Sequence, residues 1–300
     1  QVIWADRLDR TLEDIFDFQD EVTQEIVNAI GLKLRGGDAR RACFITAGSA
    51  ETLALLHRAV SHLYRGTRED TAIAREWGEK LLAAEPNNPS TLGLIALTHW
   101  REAKFCWTDD PGASLERAAE YAERTIARGD PEGIGHTIIG YVHLLQRRYD
   151  DALAASTKAR ARRPSCPMSN GVLAEVMRFY GNPDQAVLRM RDAMRLARNF
   201  PPWMVSGLAA SLRDSGEIDA SIEAASEAMR LFPEDIDCQV TLCCDKVFAG
   251  SAAEARQVAE LIRRADPSFS ISRYVASQPY RDQVTLDGIM ECLKRAGLPE

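Results

Sequence analysis

Small residues recur at matched places in units of about 34 residues, and this constrains the chain more than any other feature. The stretch from Gly133 to Pro164, GIGHTIIGYVHLLQRRYDDALAASTKARARRP, shows the unit in full. It predicts two amphipathic helices meeting at a turn. In the first, the large Ile139 precedes the small Gly140; the second carries Ala152 and Ala159, and Pro164 closes the unit. Where two thin helices pair, one position on each lies at closest approach, and a bulky side chain there forces them apart. In the first helices that position falls on Ser61, Ala96, Gly140, Ala174, Ala209 and Cys243. In the second helices it falls on Ala74, Ala119, Ala152, Ala186, Ser221 and Ala255. Pro86, Pro131, Pro164, Pro233 and Pro267 end the units, because proline lacks an amide hydrogen and clashes with the preceding turn. In the fourth unit the proline comes late, as Pro201-Pro202 after Asn199. Gly181, Gly216 and Gly250 supply turns that need a positive φ.

The second unit departs most from this scheme. Its first helix is expected through Leu92, Ile95, Ala96 and His99 to about Phe105. The loop CWTDDPG then delays the second helix to about Ala113–Arg128. After Pro267, Ser270 caps a short helix, and Arg281–Ala296 reads as a final amphipathic helix with Val284, Ile289 and Leu293 inward. A solenoid needs such a cap, since its last unit otherwise exposes an apolar face. Ahead of the units, residues 1–10 read as the end of a strand. A helix from Thr11 to about Ile30 follows, and its wide apolar stripe predicts packing on the first unit or a homodimer contact. Gly36-Gly37 end it, and a linker runs to about residue 48. The abrupt start at Gln1 suggests a fragment of a longer protein.

The unit resembles the tetratricopeptide repeat (TPR), a helix-turn-helix of this length. That resemblance implies an all-α fold, a right-handed superhelix of about six repeats over residues 49–267. Residues 1–48 would precede it and capping helices at 268–300 would close it. It also implies a concave groove lined by the first helices. In this register the groove receives Arg58, His62 and Arg65, then Trp100 and Arg101, then Thr137 and Tyr141. Glu175, Arg178, Trp203 and Arg213 follow in the later repeats. Arginine and aromatic side chains are enriched where proteins bind one another. Two arrangements stay open: a site for a protein or an acidic peptide, or a solvated groove whose arginines pair with neighbouring carboxylates. The carboxylate clamp of chaperone-binding TPR proteins needs Lys and Asn at set positions. His62, Leu97 and Tyr141 stand where that Asn belongs, so the clamp is not matched.

Composition narrows the function further. A net charge of -7 argues against nucleic acid as the main partner. Seven scattered cysteines without a CxxC pair read as thiols of a reducing cytoplasm rather than as disulfides or metal ligands. No apolar run reaches the ~20 residues that cross a bilayer. There is no P-loop, HExxH or EF-hand pattern, so a non-catalytic chain without a cofactor is expected. Asp109-Asp110 read as an acidic pair at a helix start, and His57, His136 and His143 as packing residues. Cys243 reads as a small buried residue; its neighbour Cys244, on the groove side, is the better candidate for a reactive thiol.

The opening WADRLDRTLEDIFDFQDEVTQEIV and the closing PYRDQVTLDGIMECLKRAGLPE together resemble the C-terminal region of bacterial class III adenylate/guanylate cyclase-type signalling proteins. In those proteins a TolB-like α/β segment precedes a TPR array, and some relatives carry a winged helix in place of the cyclase. The resemblance implies a regulatory or interaction region, with any cyclase catalytic residues lying before Gln1.

Overall fold

Helix pairs repeat along the chain, and the reason is visible at each boundary. The computed structural model describes residues 50–65, 67–130, 132–197, 201–233 and 235–300. The expected strand remnant, Thr11–Ile30 helix with its dimer contact, and linker all lie outside the described residues, as do Pro131 and Asn199. Among the described residues there are fourteen helices and no strand. The first four are α1 (Ala50–Arg65), α2 (Arg68–Ala84), α3 (Pro89–Lys104) and α4 (Pro111–Ala127). Next come α5 (Ile134–Leu145), α6 (Tyr149–Arg162), α7 (Pro167–Tyr180) and α8 (Pro183–Leu196). The array ends with α9 (Pro202–Asp214), α10 (Ile218–Leu231), α11 (Ile236–Phe248) and α12 (Ala252–Ala265). Two further helices, α13 (Ile271–Ser277) and α14 (Gln283–Arg295), follow the six pairs.

Starts and stops follow local chemistry. Asn88 accepts from the amides of Ser90 (2.9 Å) and Thr91 (3.2 Å), with Pro89 in the first position of α3. Asp110 accepts from Ala113 N at 2.9 Å ahead of Pro111, which is the helix-start role expected of it. Such a cap contributes about 1 kcal/mol. Helices α2, α6, α10 and α12 stop just before Pro86, Pro164, Pro233 and Pro267. Pro202 instead opens α9, where its missing amide hydrogen is not needed. Gly181, Gly216 and Gly250 turn with φ of 108°, 83° and 75°.

Burial separates two layers. In α11 every residue from Cys238 to Asp245 is buried, whereas α12 buries only Ala255, Val258, Ala259 and Ile262. The first helices also touch one another from repeat to repeat, α3 on α5, α5 on α7, α7 on α9 and α9 on α11. They form the inner layer of a helical solenoid, and the second helices clothe it.

Most of the small-residue pattern sits where the helices meet. Ala96, Ala174, Ala209 and Cys243 are fully buried, as are Ala74, Ala152, Ala186, Ser221 and Ala255. A Cβ on Gly140 would collide with Ser156 Oγ on the facing helix. Two positions differ from expectation. The buried stripe of α1 is Leu56, Ala59, Val60 and Leu63, which leaves Ser61 exposed on the other face. In α4 the inserted loop shifts the register by one residue, about 100° of helix rotation, so Ala118 is buried and Ala119 only half so.

At the C-terminus Ser270 caps α13 by accepting from Arg273 N at 3.1 Å. Leu286, Ile289 and Leu293 face inward, but Val284 is 76% exposed. It precedes Leu286 by two residues and so points about 200° away from that stripe.

Two stability predictions follow from the inner layer. Gly140→Ala is expected to destabilise by about 1–3 kcal/mol in urea unfolding, and Ser156→Ala in the same chain to recover part of it by removing the obstructing oxygen. The second concerns Asp245, which is completely buried. Burial raises its pKa to about 6, against the hydrogen bond from Ser221 and the charge of Arg213. Ser221 Oγ contacts both Ala209 O (2.8 Å) and Asp245 Oδ2 (2.6 Å). One hydroxyl hydrogen cannot serve both, so when it goes to Ala209 the proton of the second bond belongs to Asp245. A carboxyl with a raised folded pKa contributes its full stability below the unfolded value, and loses it as pH rises through about 6. Stability is therefore expected to fall by about 1–3 kcal/mol between pH 4 and pH 8. Asp245→Asn, which keeps a donor toward Ser221, should remove that fall.

Candidate functional site

The inner layer carries polar and aromatic side chains from end to end. At the N-terminal end, Arg58 is exposed. His62 Nδ1 lies 2.7 Å from Asp70 Oδ1, and Arg65, itself 62% exposed, lies 3.5 Å from the same oxygen. Asp70 is fixed because Thr67 caps α2, accepting from Asp70 N at 3.0 Å and donating to Asp70 Oδ2 at 2.9 Å. Arg101 reaches back from α3 to the carbonyl of Leu63, near the end of α1.

In the middle, Trp100 stacks on Tyr141 with centroids 4.2 Å apart. Tyr141 donates to Glu175 Oε2 at 2.5 Å. Burial first, and then the charge of Glu175, raise the phenol's pKa well above its usual value, so it remains a donor. Lys104 Nζ stands 5.4 Å from the Trp100 ring centroid and 3.8 Å from Asp237 Oδ2, so the second repeat reaches the sixth across the inner face. A small cleft of about 20 Å³ lies beside this ladder, with Leu97, Ile134, Ile138, Tyr141 and Met168 in its lining. Trp203 has a different role. A Cβ on Gly171 would come within 2.6 Å of its Cη2, so its ring fills the space that this glycine leaves between repeats.

At the C-terminal end the groove expectation needs correction. Arg178 and Arg213 are buried and paired rather than presented on an open surface. Arg213 donates to Asp214 Oδ1 through Nε (2.9 Å) and Nη2 (2.7 Å), and to Thr241 Oγ1 at 3.3 Å. Arg178 Nη1 lies 3.4 Å from Asp214 Oδ2, with its guanidinium carbon 3.8 Å from the Phe179 ring centroid. What covers them is the chain's own segment between α13 and α14. Tyr280 donates to Asp214 Oδ2 at 2.6 Å and accepts from Arg213 Nη2 at 2.8 Å and from Arg178 Nη1. Its ring meets Phe179 edge-on, centroids 4.8 Å apart. Burial pushes its phenol up and outweighs the pull of Arg178 and Arg213. Burial also opposes both guanidinium charges, but Tyr280 and Asp214 at Arg178, and Asp214 and Tyr280 at Arg213, raise them above the ordinary arginine value.

Sequence reasoning named Arg178 and Arg213 but missed Asp214, Asp237 and Tyr280. Asp214 carried a signal, since it follows Arg213 directly at the end of α9. Tyr280 carried none, because nothing in a Pro-Tyr pair says which helices it will meet. His99, also missed, is buried and lies 5.9 Å from the Tyr121 ring; burial leads in lowering its pKa to about 4. His136 is held at 2.5 Å by Asp130 Oδ2, and Asp130 also accepts from the amides of Gly135 and His136 at the start of α5. Cys243 is buried as expected. Cys244 is fully buried too, and its hydrogen bond with Cys292, then burial, raise its pKa well above the thiol value, which removes the reactive role expected of it. Among the described residues no group of three or more His, Cys, Asp or Glu is arranged to hold a metal ion, and no helix is long and apolar enough to cross a membrane.

No protein-family model matches the chain. Solved structures share its fold, a helical solenoid of the TPR type. It superimposes on a thermophilic TPR protein of Thermus thermophilus with a TM-score of 0.51 and 19% identity, covering 65% of this chain and 99% of that one. Against the APC/C hetero-tetramer Cut9–Hcn1 the TM-score is 0.60 with 12% identity, over 88% of this chain and 48% of that one. Among curated proteins, it is 31% identical over 153 residues to one from Rhizobium meliloti (strain 1021) named "Putative adenylate cyclase 3". That match covers 50% of this chain and 26% of the relative, so the chain spans about a quarter of the relative's length.

The two ends of the inner face should respond differently to substitution. Arg213→Met is expected to lower stability by about 3–5 kcal/mol, because Asp214 is left buried without its closest positively charged partner. Arg65→Ala should stay within about 0.5 kcal/mol, as an exposed pair contributes little. Urea unfolding of both variants checks this.

Proposed function

We propose that the chain is a protein-interaction scaffold whose inner face takes an extended peptide segment of its partner. The observation that supports this most is that the face already holds an extended segment, the chain's own, through main-chain hydrogen bonds and one inserted side chain. That is how peptides are recognised generally: backbone bonds supply affinity and a side-chain pocket supplies specificity. An acidic segment is the class favoured at the N-terminal end, where Arg58 and Arg65 stand exposed. Charge-assisted hydrogen bonds from such arginines contribute more than neutral ones. A displayed peptide library panned on the wild type and on Arg58→Glu/Arg65→Glu tests the reading. Enrichment of acidic peptides by the wild type, lost in the double variant, is the expected result. Identical profiles from the two proteins would overturn the acidic preference.

We further propose that this scaffold is the interaction region of a cyclase-type signalling protein. The likeness to the Rhizobium meliloti protein favours a cyclase over the winged-helix context. The coding sequence upstream of Gln1 decides between them: a cyclase domain there supports the reading, and a winged helix replaces it.

A further inference from the structure

The chain from Ala276 to Arg281 leaves the last two residues of α13 and runs extended from Gln278, and it is seated as a peptide ligand would be. Gln278, Pro279 and Tyr280 are buried between the exposed Ala276 and Arg281. Arg147 donates to the carbonyls of Ala276, Gln278 and Tyr280, each at 3.3 Å. Tyr149 adds a bond to Tyr280 O at 2.9 Å, and Arg281 N donates to Phe179 O at 2.9 Å. Five main-chain bonds thus run between this segment and repeats three and four, on helices distant in sequence.

Arg147 is itself out of place. It occupies the turn between α5 and α6 with φ of 58°, where the three following repeats use Gly181, Gly216 and Gly250. A non-glycine residue in the left-handed region costs about 1–2 kcal/mol, and such positions collect at ligand clamps. The residue that replaces glycine here is the one that grips the segment.

The side-chain seat is selective. Tyr280 Oη donates once, to Asp214, and accepts twice, from Arg178 and Arg213. A phenylalanine there would leave those three buried charged groups without their shared partner. A carboxylate or a phosphorylated tyrosine would have no proton to give Asp214 and would repel it.

We propose that the seat formed by Arg178, Arg213, Asp214 and the Arg147 clamp is a binding site for an extended peptide that presents a tyrosine, held in cis by the chain's own Gln278–Arg281 stretch at the end of α13, which must leave before another such segment enters. The proposal rests on the peptide-binding reading of the inner face. Its test is separable, because the probe is the chain's own sequence: a failed library screen leaves this experiment intact, and failure here leaves the Arg58 and Arg65 end untouched.

The probe is a fluorescein-labelled peptide of sequence ASQPYR, titrated by anisotropy against the full chain. Tyr280→Ala, with its seat emptied, is expected to bind it at least about tenfold more tightly than the wild type does. The peptide with Phe for Tyr should bind Tyr280→Ala at least about tenfold more weakly. Should Tyr280→Ala not fold, Tyr280→Phe, which keeps the ring on Phe179, is titrated in its place with the same expected order. In parallel, Arg147→Gly, whose glycine suits the turn, should speed amide exchange at residues 276–282 by about tenfold while α7 to α12 keep their protection. Absence of saturable binding to a folded variant would overturn the proposal. So would exchange at 276–282 that follows global unfolding in both the wild type and Arg147→Gly.

Discussion

Close approach of paired helices, allowed by small side chains at their crossing, is the constraint on which everything else in this molecule rests. Gly140 and Ser156 show how tight it is, since a single added methyl has no room. Once each pair is fixed at that distance, the first helix has neighbours on nearly every side and the second on only one. The consequence is the two-layer burial seen in α11 and α12. An inner layer made of helices buried all round then has little freedom to point polar groups at water. Its arginines, carboxylates and phenols must find one another instead.

They do so in two different ways along the array. At the N-terminal end Arg58 and Arg65 stay in solvent, and the Asp70 pairs there are worth little. Toward the C-terminal end the same residue type is buried. Arg178 and Arg213 share Asp214, and Tyr280 supplies the remaining contacts. Two guanidinium groups around one carboxylate leave an excess positive charge, which favours an acceptor oxygen beside them. A phenol satisfies this without bringing in a second negative charge, and burial keeps it protonated. Arginines of the first helices thus stand exposed in α1 and closed off by hydrogen bonds in α7 and α9.

The fold was largely legible, because it depends on spacing. Six helix pairs, the caps at Asp110 and Ser270, and the turns at Gly181, Gly216 and Gly250 each follow from a local rule that neighbouring residues satisfy. Where the register slipped, at Ser61, Ala119 and Val284, the cause was an offset of one or two residues, which on a helix turns a side chain by about 100° or more. The site was less legible. Trp100, Tyr141, Glu175, Arg178 and Arg213 were placed on the correct helices, but their exposure was not readable. For Arg178 and Arg213 it depends on Tyr280, separated from Arg178 by 102 residues in sequence. A repeat pattern describes each unit against its neighbours and is silent about a tail that crosses several of them.

Arg147 carries that lesson furthest. Within its own repeat it looks like a defect, an arginine where the three following repeats have glycine, with only a 3.4 Å bond to Tyr149 nearby to offset the backbone cost. Its partners are three carbonyls more than a hundred residues away. The five bonds to the segment and the seat around Tyr280 lie on different helices of the array, so they hold the segment together and weaken together. Repeat arrays gain stability chiefly from contacts between neighbours, and a segment that bridges non-neighbours adds a term of another kind. Opening it would cost those bonds while leaving the helix pairs intact. The backbone cost at Arg147 is thus offset by bonds to a segment outside its own repeat, not by contacts within the array.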